Sequence, residues 1–260
     1  DLPPFIFATC QSGAENVLKN EVARSFPFLR PAFSRRGFVT FKFAEGVRPH
    51  EGFRLDAVFA RTWGFCFGRV SASDWQAAAS ETWKLVADVP VRWIHVWPRD
   101  ASSPGRSDPD QPWPTEIHEI RQLLGNSHPE GRGLLSLCGG EGIPSRGVWV
   151  LDCVLVEPDE WWVGIHKTDG PESLYPGGRF PIVLPEYAVS RAYLKIEEAL
   201  RWSGFRIPSN ARWAELGSAP GGASQALLDR GYEVLGVDPA EMHPLVLSHP
   251  RFTHLRRRTP

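Results

Sequence analysis

The stretch Trp213-Ala-Glu-Leu-Gly-Ser-Ala-Pro-Gly-Gly222 carries the residue types and spacing most able to hold a ligand. Residues 213–216 read as a short buried strand that runs into a glycine-rich turn. A helix over 223–230 follows, with Gly231 as its stop signal. A second strand, 233–237, ends in Asp238. Strand, Gly-rich turn, helix, strand and acid make the opening of a nucleotide-binding βαβ unit. Gly217, Gly221 and Gly222 permit positive φ and a close approach of backbone to ligand. The turn's free N–H groups can hold polar parts of that ligand. Pro220 removes one donor from the turn, which suits a neutral or cationic ligand better than a pyrophosphate. Glu215, just before the turn, can face a positively charged ligand end, and Asp238 can accept hydrogen bonds from ribose hydroxyls. No Gly-Lys-Ser/Thr follows the turn, which argues against a P-loop.

Lys195 is the other chemical candidate. It lies in an amphipathic helical stretch beside Glu197 and Glu198. A lysine in that setting is by default a solvated surface residue. Desolvated, it could serve as a base, because neighbours and burial lower a lysine's pKa. Ser190 stands where that helix begins and can cap it. His243, His249 and His254 show no ligand spacing, and no metal site is expected.

The run AELGSAPGGASQALLDRGYEVLGVDPAEM resembles the FtsJ-like methyltransferases that act on the 2′-oxygen of ribosomal RNA ribose. Their pattern is Asp-Leu-Gly-Ala-x-Pro-Gly-Gly-Trp-Ser/Thr, then a helix and a strand ending in Asp. SRAYLKIEEAL, residues 190–200, is similar to the helix that precedes it in that family, Ser-Arg-x-x-x-Lys-Leu-x-Glu. The openings FATCQSGAENVLKNEVA and LDAVFARTWGFCFGRV extend the resemblance to an RlmM-like branch with an RNA-binding region of THUMP type ahead of the methyltransferase. The resemblance implies S-adenosylmethionine as cofactor, held by Ser190, Glu215, Gly217, Ser218, Ala219, Pro220, Gly221, Gly222 and Asp238. It implies ribosomal RNA as partner, with cytidine as the favoured nucleotide. It makes Lys195 the first lysine of a catalytic Lys-Asp-Lys-Glu set; the family places the other three beyond residue 260. Two positions depart from the pattern. Ala223 replaces the usual bulky residue after Pro-Gly-Gly, and Arg257 and Arg258 stand where an acid would meet the adenine. A non-catalytic RNA- or protein-binding module, its nucleotide-binding portion vestigial, is the alternative from another class.

These residues need a scaffold, and the 260-residue chain has room for two domains. A hydrophobic content of 42% suffices for real cores, and no apolar stretch reaches the roughly 20 residues needed to cross a bilayer. The chain opens without Met, as a trimmed product would. Cys10, Cys66, Cys138 and Cys153 are widely spaced, which fits reduced thiols in a cytoplasmic protein. With a net charge of −1, any grip on RNA must come from local basic groups such as Arg35, Arg36, Arg54, Arg61, Arg69 or the run 256–258.

The expected fold is α+β followed by α/β. A ferredoxin-like or THUMP-like region occupies the front, as a first module over 1–70 and a THUMP-like domain over 71–168. An extended linker at 169–187 leads to an incomplete Rossmann-like methyltransferase domain at 188–260. Strands are expected at 5–8, 37–43, 63–70, 92–97, 147–156 and 161–165, and helices at 13–26 (capped by Ser12), 55–61, 74–87 and 115–124 (capped by Thr115). Residues 99–113 read as a solvated loop. The strand at 213–216 is expected to be an exposed apolar edge that favours self-association.

Overall fold

The computed structural model describes residues 1–103, 112–129 and 142–258. Most of the loop expected at 99–113, and Cys138, fall outside them. The chain forms two compact units, Asp1–Arg179 and Phe180–Pro260.

The first unit is built on one seven-stranded sheet. Its strands are β1 (Phe5–Thr9), β2 (Leu29–Arg35), β3 (Phe38–Phe43), β4 (Thr62–Ser71), β5 (Val91–Pro98), β6 (Trp149–Glu157) and β7 (Glu160–Lys167), in the order β2-β3-β1-β4-β7-β6-β5. All neighbours run antiparallel except β5 and β6. Three helices, α1 (Glu15–Ser25), α2 (Trp75–Leu85) and α3 (Glu116–Asn126), supply Leu18, Val22, Ala78, Ala79, Ile120 and Leu124 to a core with Ile6, Ala8, Phe41, Phe65 and Ile94. The alternate positions of the strands place Phe7, Phe38, Trp97 and Val154 in a second cluster on the other face.

Several expectations change here. The break expected at residue 70 falls within β4, which pairs with β1 on one side and β7 on the other. The described strands on both sides of residue 70 therefore share one sheet rather than forming two modules. Residues 55–61 form no helix, only a turn at 58–59. Ser12 does not cap α1: its amide donates to Asp100 Oδ2 at 3.1 Å and its hydroxyl to the Ser102 carbonyl at 2.6 Å. Thr115 makes no capping bond. Asp74 does cap α2, accepting from the amides of Gln76 and Ala77. Nor is 169–187 simply extended. Two 3₁₀ turns, Pro171–Leu174 and Pro176–Gly178, lie against the sheet, with Ser173, Gly177 and Gly178 buried. A Cβ on Gly177 would sit 2.8 Å from the Trp97 ring, so only glycine fits under this strap.

The second unit holds a three-stranded parallel sheet, order β10-β9-β8, from β8 (Arg212–Leu216), β9 (Glu233–Val237) and β10 (Phe252–Leu255). The helix α5 (Gly222–Asp229) makes the crossover between β8 and β9; α4 (Ala192–Ser203) precedes β8, and the short α6 (Pro244–Leu247) precedes β10. One face of the sheet packs Val234 and Phe252 with Leu227, Leu228, Met242 and Val246. The opposite face carries Leu216, Leu235 and Leu255, all exposed. Among the described residues β8 pairs only with β9 and forms the sheet edge.

Candidate cofactor site

The Gly-rich turn leaves β8 at Gly217, whose φ is +76° and whose absent Cβ would meet no atom within 4 Å. That space is open to a ligand. The turn is tied down from the next strand. Gly217 donates its amide to the Val237 carbonyl at 2.9 Å, and Ala219 donates to Asp238 Oδ2 at 2.9 Å. Asp238 Oδ1 accepts from the Ala240 amide at 2.8 Å. These two amide bonds hold the Asp238 carboxyl below its ordinary value. The acid that ends β9 thus clamps the turn and keeps lone pairs to spare, since a carboxylate can accept about four bonds.

Glu215 is half-buried, and Ser224 on α5 donates its hydroxyl to Oε2. Burial pushes this carboxyl above its usual value; the charge of Asp238 adds to the shift and the Ser224 bond opposes it. Two carboxyl groups therefore flank the same turn with opposite shifts, and a cation placed beside Glu215 would favour its charged form.

The remaining residues named from the sequence divide by role. Gly221 has φ +113°, but a Cβ there would lie 2.9 Å from Val246 Cγ2 and 3.0 Å from Met242 Cε. A side chain at Gly221 would therefore collide with Val246 on α6 as well as with Met242. Gly222 faces Ser190: a Cβ would come 2.8 Å from the Ser190 carbonyl oxygen, so glycine lets the start of α4 sit on the start of α5. Ser218 is buried with its hydroxyl toward Met242 Sδ at 3.5 Å. The peptide between Ala219 and Pro220 is cis, and the Pro220 carbonyl accepts from the His243 amide at 2.9 Å. Lys195 is exposed on α4, and none of the contacts described links it to the turn.

Sequence reasoning missed several supports. Gln225 is buried on α5; its Oε1 accepts from the Val189 amide at 2.8 Å and its Nε2 donates to the Tyr187 carbonyl at 3.1 Å. Arg230 grips Glu197 with two parallel bonds of 2.6 and 2.7 Å, which lock α5 to α4. Gly236 admits the Phe252 ring, which a Cβ would meet at 2.6 Å. Glu197 was visible as part of the lysine's surroundings, yet only the fold reveals its partner. In the first unit, three of the arginines considered for RNA are paired with acids: Arg35 with Glu157, Arg54 with Asp169 and Arg69 with Glu160.

A parallel sheet whose first strand, Gly-rich turn, crossover helix and acid-ended second strand meet in this way defines a Rossmann-like nucleotide-binding unit. More specifically, residues 188–257 match the FtsJ-like methyltransferase family. The chain is also similar to proteins named ribosomal RNA large subunit methyltransferase M. It is 26% identical to that of Teredinibacter turnerae over 96% of this chain and 71% of that protein. Identity is 34% with the Halorhodospira halophila protein and 32% with the Cellvibrio japonicus protein, but those matches span only 26% and 33% of the relatives' lengths. The structure aligns over 97% of the chain with TrmN from Thermus thermophilus, at 15% identity and a TM-score of 0.44.

The methyl donor of the FtsJ-like methyltransferases is S-adenosylmethionine, and the residues present fit it. The open space at Gly217, the Glu215 carboxyl beside the turn and the Asp238 carboxylate that ends the next strand fit a ligand with a cationic end and a ribose. Among the described residues, no helix is long and apolar enough to cross a membrane.

Proposed function

We propose that this chain supplies the RNA-recognising region and the cofactor-binding part of a cytoplasmic S-adenosylmethionine-dependent methyltransferase. Its substrate is large-subunit ribosomal RNA, and the acceptor is a ribose 2′-hydroxyl, on cytidine by family resemblance. The observation that carries this reading is the turn itself, open at Gly217 and flanked by Glu215 and Asp238. S-adenosylmethionine, when bound, offers an electrophilic methyl group on a sulfonium. Asp238 holds Ala219 and accepts from the cofactor's ribose, while Glu215 faces the cationic end. Lys195 acts on the 2′-hydroxyl, as general base or as an electrostatic partner of the developing oxyanion. The front region contributes a THUMP-type RNA surface.

One observation favours the alternative of a binding module: Lys195 is exposed and not tied to the turn. The two readings separate cleanly in the full-length protein. Lys195→Ala should leave S-adenosylmethionine affinity by calorimetry nearly unchanged and lower methyl transfer to ribosomal RNA by about 100-fold or more. An equally active variant would return Lys195 to the solvated surface. Absence of S-adenosylmethionine binding to the wild type would leave the binding-module reading standing.

A further inference from the structure

A second cluster of ligand-type side chains lies in the first unit, on residues not used so far. His95 on β5, Asp152 on β6 and His166 on β7 are all buried, and one ligand atom from each lies within 4.8 Å of the others. The register explains the meeting. His95 stands directly opposite Asp152, and His166 opposite Val150, two residues from Asp152 and hence on the same face. Gly64 makes room for the carboxylate, since a Cβ there would lie 2.9 Å from Asp152 Oδ2, and Gly164 admits the Phe7 ring, which a Cβ would meet at 2.6 Å. The strap of 3₁₀ turns closes the other side, where His166 Nε2 meets the Ser173 carbonyl at 2.8 Å.

The hydrogen bonding here is incomplete. Both ring nitrogens of His95 and Oδ1 of Asp152 lack a partner among the described residues. The Leu174 backbone comes near His95 without forming a bond of good geometry. Orphaned groups of this kind are destabilising when buried, unless something satisfies them. His166 is further constrained. A carbonyl can only accept, so Nε2 carries a proton; Nδ1 faces Asp152 Oδ2 across 2.7 Å. Two acceptors can share that gap only with a proton or a cation between them. A ring nitrogen aimed at the gap, with the other ring N–H fixed on a backbone carbonyl, is the arrangement in which histidines ligate metals.

The geometry points to a buried divalent transition-metal site of the zinc class, formed by His95, Asp152 and His166. The ion replaces the proton shared by His166 and Asp152, which leaves to solvent, and it satisfies a nitrogen of His95. Bonds of about 2.1 Å in tetrahedral geometry separate ligand atoms by roughly 3.4 Å. The 2.7 Å gap must widen modestly to reach that value, and the 4.8 Å limit on the cluster already brackets it. Two imidazoles and one carboxylate suit zinc, cobalt or nickel rather than calcium or magnesium, which prefer all-oxygen sites. The positive charge of Arg121 acts on His95 and opposes a cation; the Asp152 carboxylate, enclosed beside the ion, offsets it. Because the three ligands come from adjacent strands under a closed strap, the site is structural, and metal binding would add to folding stability.

The test uses the 260-residue chain, stripped of metal under mild denaturation and refolded with or without Co(II) or Zn(II). One Co(II) per chain should bind, with intensified visible d–d absorption, and Zn(II) should displace it. A chelator should lower the melting temperature. His95→Leu should lose both the cobalt absorption and the chelator effect. A leucine at a merely structural His95 would instead remove two orphaned nitrogens, with stability unchanged or raised. The site is refuted if the wild type binds no Co(II), or binds it no better than His95→Leu, with melting unaffected by chelation. Should His95→Leu fail to fold, Asp152→Asn takes its place, and retained Co(II) absorption in it refutes the site equally.

Discussion

Gly217 and Gly221 both have positive φ, yet they answer different physical demands. Gly217 borders open space, so alanine there meets only backbone strain, about 1–2 kcal/mol. At Gly221 the new methyl also strikes Val246 and Met242. Gly221→Ala should therefore cost about 2–4 kcal/mol of stability, and Val246→Ala should restore part of it. Calorimetric melting of the single and double variants checks this, and no rescue would contradict the packing account. Glu215 makes a pH prediction. Its carboxyl is raised on folding, so the native state holds the proton more tightly than the unfolded chain does. The residue is neutral to stability below about pH 4, where both states are protonated. It detracts increasingly as pH rises from the ordinary glutamate value through the folded one. Glu215→Gln should match the wild type near pH 4 and exceed it in melting temperature at pH 7. A variant less stable than wild type at pH 7 would mean that the carboxylate is better paired than its surroundings indicate.

The elements of the second unit were legible because their signals are local. A strand, a Gly-rich turn, an apolar helix and a Gly stop follow one another within about 20 residues, and each boundary is fixed by backbone chemistry. The candidate site residues were named from the same local signals, which carried no sign that Gly221 packs on Val246 and Gly222 on Ser190. The first unit was harder. Its strands showed in their alternation, but β2 escaped because Pro31 and the bulge beside it interrupt the pattern. Whether β4 closes one module or joins two depends on hydrogen bonds between residues nearly a hundred positions apart, for which a sequence has no local sign. Contacts between α4 and α5 belong to the same category. Glu197 is buried and forked to Arg230, so Glu197→Gln should lower stability by about 1–3 kcal/mol by leaving the guanidinium without its anion. Because that fork sets how the Ser190 end of α4 meets Gly222, cofactor affinity should fall with it. Melting and titration of one variant measure both effects, and a loss of neither would make the pair a surface contact.

Across the whole second unit, the sheet presents an open edge at β8 and an uncovered row of Leu216, Leu235 and Leu255. Exposed edges with apolar faces template pairing with other chains. The 260-residue chain should therefore associate with itself at high concentration in sedimentation velocity. Leu216→Lys, placed on that edge, should return it toward a monomer. A monomer at all concentrations in the wild type would show that the edge is silent. The first unit has a different consequence, which follows from β4 standing between β1 and β7. A protein that recombines by exchanging domains needs a seam where few bonds cross. Position 70 is no such seam, because a cut there severs ladders on two sides. The first 179 residues must pass between proteins as one indivisible piece, and a chimera joined near Phe180 can keep its fold where one joined at 70 cannot.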